Sequence, residues 1–257
     1  MARRCAVPHQ ESSARTSQTL DRGLQVLDAV ARASGPVTVA KAAAEVGIDR
    51  TVAHRLVATL AARGYLQRDS QGGYRLGPTC VALASATTDL RGLARPFLEG
   101  VQQATGETVH LVALSGRDVV FIDGIEGVHA LRVTSRTGRV LPAHATSVGK
   151  AWLAALPPER VAQLYANTDL EPVTARTIRD ASALSRELAA VRRRGYAKSR
   201  GESENGIGSV GLAVSKDGGE PRAAMSVAVP LERWSDALEE HAVTALRTAA
   251  HGLAQHL

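Results

Sequence analysis

The stretch that most constrains this chain is residues 37–76, VTVAKAAAEVGIDRTVAHRLVATLAARGYLQRDSQGGYRL. Two short helical patterns flank a glycine, and two strand-like pieces then flank Gly72-Gly73. Thr38 is placed to cap the first helix, whose apolar residues Val39, Ala42, Ala43 and Val46 fall on one face. Gly47 supplies the left-handed residue that ends it. Asp49 then stands as the N-cap of the second helix, its carboxylate able to accept from the free amides of the first turn. The helical period places Val52, Ala53, Leu56, Val57 and Leu60 on one side, which reads as core. The other side carries Arg50, Thr51, His54, Arg55 and Ala58. It is short or cationic near the helix start and suits a major groove: arginine can fork onto guanine, threonine can reach bases or phosphates, and alanine permits close approach.

An ordinary amphipathic helix with a solvated face has the same pattern, so the residues C-terminal to this helix decide between the two. Gly64 ends the helix, and Tyr65-Leu66-Gln67-Arg68 and Tyr74-Arg75-Leu76 read as two short strands around a turn-rich Asp69-Ser70-Gln71-Gly72-Gly73. That is a wing, and its Arg68 and Arg75 can meet phosphates. With TVAHRLVATLAARGYLQRD followed by GGYRLGP, residues 19–83 resemble the DNA-binding domain of the IclR family of bacterial transcription regulators. Thr51-Val52-Ala53-His54-Arg55-Leu56 fits the family's recognition helix with Val52 and Ala53 as mild departures, and Asp49 stands where many members have proline. The resemblance implies a winged helix-turn-helix that reads double-stranded operator DNA as a homodimer or a dimer of dimers.

The chain is long enough for two domains with separate cores, and its net charge of +6 favours a polyanionic partner. Cys5 and Cys80 are too few and too far apart for a disulfide framework or a thiolate metal site and read as reduced thiols. No N-terminal apolar run has signal length, and no stretch approaches the ~20 apolar residues of a membrane helix. The expectation is a cytoplasmic protein with no membrane partner and no cofactor.

Taken in order, residues 1–16 are polar and basic, with Arg3, Arg4 and Arg15, and read as a disordered arm, either a frayed terminus or a DNA contact. Residues 17–78 form the winged helix-turn-helix domain, whose first helix presents Leu20, Leu24, Leu27, Val30 and Ala31 to the core and stops at Ser34-Gly35-Pro36. Residues 79–94 read as one linker helix carrying Val81, Leu83 and Ala84; in the family such a helix joins the domains and pairs protomers. Residues 95–257 mix helix and strand patterns. A helix over 96–105 precedes strands over 108–114, 118–123 and 130–135, then a helix after Thr146 and a polar surface stretch. A helix over 181–194, strands over 207–214 and 223–229, and a last helix from Asp236 complete the chain. The fold class is α+β: antiparallel hairpins with flanking helices resemble the GAF-like mixed α/β effector domain of the same family, so the resemblance covers nearly the whole chain.

The densest constellation is LPAHATSVGKAWLAAL, residues 141–156, a polar turn running into an amphipathic helix whose first amides can bind an anion. A P-loop is rejected because His144 takes the place of the first glycine and Ala151 that of the magnesium-binding hydroxyl. Ser147 and Lys150 lie on successive helical turns, but no third catalytic group or oxyanion arrangement accompanies them. His144, His110 and Glu202 follow no metal-ligand spacing, so the histidines read as structural, and Trp152 and Trp234 read as packing anchors. The resemblance implies that the HAxxxGKA turn walls a small-molecule pocket through Ser147 and Val148. It maps apolar walls to Val133, Leu141 and Ile207 and polar positions to Ser199, Ser209, Ser226 and Ala228. Some relatives that bind small oxoacids carry an acid where Ser199 stands, a thiol at Ser209 and a hydroxyl at Ala228, and this chain departs from them at all three positions; the mixed wall of hydroxyls and amides against apolar residues suits an organic acid or a mainly apolar metabolite. Glu202 and Glu204, in the glycine-containing loop before the strand at 207, are expected to order that loop or touch the ligand.

The reading is a ligand-responsive transcription regulator, a repressor, that catalyses no reaction. Two other classes remain open. A fused enzyme would consume the bound molecule, and an architectural protein would bind random duplex as tightly as any operator.

Overall fold

The computed structural model describes residues 17–33, 35–85, 89–166 and 168–257. The expected arm over 1–16, with Cys5, lies outside the described residues, as does Ser34 of the first helix stop. The chain divides into two compact units between Thr88 and Asp89.

The first unit contains α1 (Gln18–Arg32), α2 (Val39–Val46), α3 (Arg50–Ala62), β1 (Leu66–Arg68), β2 (Tyr74–Leu76) and α4 (Pro78–Ser85). Its helix starts are set by side chains that accept from first-turn amides: Ser17 from Leu20, Thr38 from Lys41 and Asp49 from Thr51. Gly47, at φ 70°, ends α2 in the left-handed conformation that glycine adopts without a Cβ penalty. Val26, Val30, Val37, Ala42, Val57 and Leu66 form the core. The face of α1 differs from the expected one. Gly23, Val26, Ala29 and Val30 are buried, whereas Leu20 is 63% and Leu24 50% exposed. The buried stripe runs through Val26 and Val30 with Gly23 and Ala29, Leu27 packs at its margin, and Leu20 and Leu24 lie outside it.

The second unit holds one six-stranded antiparallel sheet in the order β5-β4-β3-β8-β7-β6. Its strands are β3 (Thr108–Ser115), β4 (Asp118–Ile125), β5 (Val140–Pro142), β6 (Ala197–Arg200), β7 (Ile207–Val214) and β8 (Ala223–Pro230). Both faces are covered. Val109, Leu111, Val210, Val227 and Val229 pack with α5 (Leu90–Thr105) and α9 (Asp236–Ala254) through Leu98, Val101, Leu246 and Leu253. On the opposite face Val112, Phe121 and Ala224 pack with α6 (Ser147–Ala155), α7 (Pro158–Leu164) and α8 (Ala181–Arg194) through Val148, Trp152, Leu153, Leu184 and Leu188. This alternation along each strand puts folding residues on one face and a mixed set on the other.

Three expectations are corrected here. The linker over 79–94 is not one helix: Asp89 has non-helical angles and caps a new helix through the Gly92 amide, so α5 begins at Leu90. Pro96, expected as a first-turn residue, therefore sits inside α5, where it forgoes the bond to Gly92. Residues 130–135 are irregular instead of a strand because side chains satisfy their backbone: Thr108 Oγ1 donates to the Val133 carbonyl, and the Glu126 carboxylate accepts from Ser135 N. Finally, the stretch expected to be polar surface contains α7 and the buried Leu170 and Thr177.

Candidate functional site

In the first unit, Arg50, Thr51, His54 and Arg55 are all exposed along one side of α3, while Ala53 and Val57 are buried beneath. Asp49 Oδ1 accepts from Thr51 N at 2.7 Å, and that bond holds its carboxyl below the usual range. The acid is thus turned into the cap at the very end of the face that carries the cations. The wing turn is closed by Asp69, whose Oδ1 accepts from the amides of Gln71 and Gly73 at 3.0 and 2.8 Å. Val37 and Tyr74 exchange backbone bonds at 2.9 Å, which ties the wing to the residue preceding the α2 cap Thr38. Arg68 pairs with Tyr74 and Arg75 with Gln67, so successive pleats send the two arginines to opposite faces of the ladder. Both are exposed, and the Arg68 guanidinium lies over Gly72 at the turn.

In the second unit, the register lines up the residues expected around the effector. Ser199, Ser209, Ala228 and Thr108 form one row across β6, β7, β8 and β3. Gly211, Ser226 and His110 form the next row, and Ile207 with Pro230 lies one row to the other side, all on the α6 face. Thr146 Oγ1 caps α6 by accepting from Gly149 N at 3.0 Å, and Ser147 Oγ lies 2.8 Å from Ser209 Oγ. A Cβ on Gly211 would stand 2.8 Å from the backbone of Ser147 and Val148, so only glycine lets the helix start rest on β7. Ser147, Val148, Val133, Ser199, Ser226 and Ala228 are buried; Ser209, Ile207 and Leu141 are half-buried. Leu141 shares the face but sits on β5, at the sheet edge opposite Ser199. Ser199 Oγ is buried with no hydrogen-bond partner among the described residues, a state that costs about 1–3 kcal/mol unless something fills it. Two hollows of this unit, about 390 and 300 Å3, lie along α9 and in the α7–α8 groove and include none of these residues.

Several ionisable groups surround the rows. Lys150, 1% exposed, donates to Glu202 at 2.6 Å and lies 3.6 Å from Glu187. Burial pushes the Glu202 carboxyl up, and Lys150 opposes that shift. His110 is held neutral, its pKa taken down to about 3 by burial and then by the nearby Arg136 cation; its Nε2 accepts from Arg136 N at 3.3 Å. His144 Nε2 meets the Glu171 carbonyl at 3.0 Å instead, so the two histidines and Glu202 take separate partners.

Comparison with known proteins turns this geometry into a lineage. The IclR helix-turn-helix domain model matches residues 19–70, and the model of the bacterial transcriptional regulator IclR C-terminal domain matches residues 82–255. The chain belongs to the IclR family. It is a DNA-binding transcription regulator with an effector domain. The HTH-type transcriptional regulator BhcR of Paracoccus denitrificans is 34% identical over 92% of this chain and 88% of its own length. The transcriptional repressor IclR of Escherichia coli is 29% identical over 85% and 82%. Among solved structures, an IclR regulator from a Silicibacter species superposes with TM-score 0.81 at 27% identity, covering 93% of this chain and 95% of that one. An IclR homolog from Microbacterium hydrocarbonoxydans, complexed with 4-hydroxybenzoate, gives 0.77 at 29% identity, covering 92% and 98%.

In this IclR-family chain, sequence reasoning passed over Thr108, Arg136 and the partners of Lys150. Thr108 and His110 carried a usable signal, since they interrupt an apolar strand at every second position. Arg136 carried none, because it stands in a segment whose shape is set by side chains from distant strands.

Proposed function

We propose that this regulator represses transcription by binding operator DNA as a homodimer or dimer of dimers, and that a small organic acid or mainly apolar metabolite alters its DNA affinity. In this reading Arg50, Thr51, His54 and Arg55 meet base edges, and Arg68 and Arg75 meet phosphates. The effector lies on the GAF-like sheet against Ser199, Ser209, Ser226 and Ala228, walled by Val133, Leu141 and Ile207 and by Ser147 and Val148 of α6. The observation that carries it is the buried Ser199 hydroxyl, without a partner among the described residues, beside the Ser147–Ser209 pair on the α6 face of the sheet. The repressor reading is supported by the Escherichia coli relative, and the acid by the 4-hydroxybenzoate held by the Microbacterium homolog.

A ligand shifts DNA affinity only through unequal affinity for two protein states, and a response of tens-fold needs a coupling of about 2 kcal/mol. Ser147→Trp should remove that response while operator affinity without ligand stays as in the parent chain. Operator titrations with and without the effector found by screening check this. A full response in the variant would place the effector elsewhere.

A further inference from the structure

Resting on the effector-site reading above, we propose that Arg136 is the effector's anion-binding residue, and that the effector is a small carboxylate which takes the place of Glu204 on its guanidinium. Two anchors lay residues 133–136 across the polar rows: Thr108 Oγ1 donates to the Val133 carbonyl, and Arg136 N donates to His110 Nε2. They carry the Arg136 side chain, only 8% exposed, over Phe121, with the guanidinium carbon 5.9 Å from the ring centroid. The same ring meets His110 edge-on at 5.2 Å and packs in the core that includes Val148. The cation therefore stands at the apolar wall of the site.

Its pairing is unlike that of two other buried ion pairs, Arg233–Glu107 and Lys150–Glu202. Arg233 grips the buried Glu107 with Nε on one oxygen at 3.0 Å and Nη2 on the other at 2.6 Å. Lys150 meets a Glu202 that is itself mostly buried. Arg136 instead reaches Ser203 Oγ at 3.2 Å through Nη1 and a single Glu204 oxygen at 2.7 Å through Nη2, and that glutamate is 49% exposed. A guanidinium has five donors in a planar fork, and a carboxylate that engages two of them binds more strongly than one held at a single point. A half-exposed, singly held loop glutamate is a weak partner, screened by water. A ligand carboxylate arriving from inside the site can use the fork, with its apolar body against Phe121, Val133 and Ile207 and a second polar end at Ser199. His110, kept neutral by burial, adds no competing positive charge. Exchange of Glu204 for the ligand also frees one tie on residues 201–206, which keep the Lys150–Glu202 pair and the bonds from the Thr174 and Thr177 hydroxyls to the Gly201 and Glu202 carbonyls.

The test uses the full chain and paired probes: 4-hydroxybenzoate, benzoate and pyruvate, each against its amide. Thermal midpoints rank them and calorimetry gives affinities for any that bind. At least one acid should raise the midpoint, and its amide should bind at least about tenfold more weakly, as loss of a charge-assisted bond implies. Arg136→Gln should weaken that acid at least about tenfold and leave the amide unchanged, whereas Glu204→Gln should tighten the acid by removing its competitor. A merely structural arginine would give no tightening in Glu204→Gln, and this variant keeps the test decisive if Arg136→Gln folds poorly. An acid affinity unchanged in Arg136→Gln but abolished in Ser147→Trp would overturn the role of Arg136 and keep the site. Unchanged affinity in both would overturn the site as well, and no midpoint shift from any of the three acids would overturn the carboxylate class.

Discussion

His110 is neutral in the folded chain at a pH where a free histidine is already half charged. Its ring is buried on the α6 face beside Phe121, and Arg136 adds a repelling cation, so its pKa falls from 6.5 to about 3. Between those values the unfolded chain holds a proton that the native chain does not, so stability rises with pH and is lost as pH falls from about 6.5 towards 3, by up to about 1.4 kcal/mol per pH unit. Urea titrations at pH 7, 6, 5 and 4 should show this slope, and His110→Gln should flatten it. The carboxyl of Glu202, pushed up by burial, works in the opposite sense, but it is present in both proteins and cancels in their difference. An identical slope in the variant would move the acid sensitivity to another group. At this scale the sequence was legible wherever a residue acts on its own neighbours: the caps Thr38 and Asp49 make the expected local bonds. It was not legible where partners are far apart in the chain, as for Arg136 with Glu204 or Lys150 with Glu202.

Among the elements, the proposed function divides the DNA contacts between α3 and the wing by chemistry. If Arg50 or Arg55 forks onto guanine, truncation to alanine should cost about 1–3 kcal/mol of discrimination at one base position. Arg75, which points away from the Leu66 face of the ladder, should on truncation lower the salt slope of log affinity by roughly 0.9 per contact. Operator variants and a salt series separate the two; uniform weakening by Arg50→Ala and Arg55→Ala would make both phosphate contacts. In the second unit the sensitive joint is α6 on β7. Gly211→Ala puts a methyl 2.8 Å from the Ser147–Val148 backbone, and the forced shift should destabilise the unit by about 1–3 kcal/mol and blunt the ligand response. Unaltered denaturation would show that the helix start yields freely. Capped helices and long alternating strands such as β7 and β8 were legible because period and cap agree. The three- and four-residue strands β5 and β6 and the seven-residue α7 were not, since such short runs hold at most two repeats of their pattern and lack the Gly-Gly turn that marks β1 and β2.

For the whole molecule, one 13-residue recognition helix spans few base pairs, which is why a two-fold assembly belongs to the proposed function. Affinity for paired half-sites should exceed that for one half-site by far more than twofold, and inserting about 5 bp between them should abolish the gain by turning one to the opposite side of the duplex. Equal affinity for single and paired sites would favour a protomer acting alone. Two folding units were legible from chain length and from the change of pattern after the wing. The α1 face was misread because exposed Leu20 and Leu24 look like core residues in a sequence; nothing in it marks which large side chains stay outside. The alternation along β7 and β8 has a further consequence. Val210, Val227 and Val229 hold the domain together, while their neighbours Ser209, Ser226 and Ala228 face the other way. With the effector site as proposed, point substitutions at the second set change what the protein senses and leave the first set to keep it folded, so one scaffold of this kind can acquire new chemical tastes by small steps.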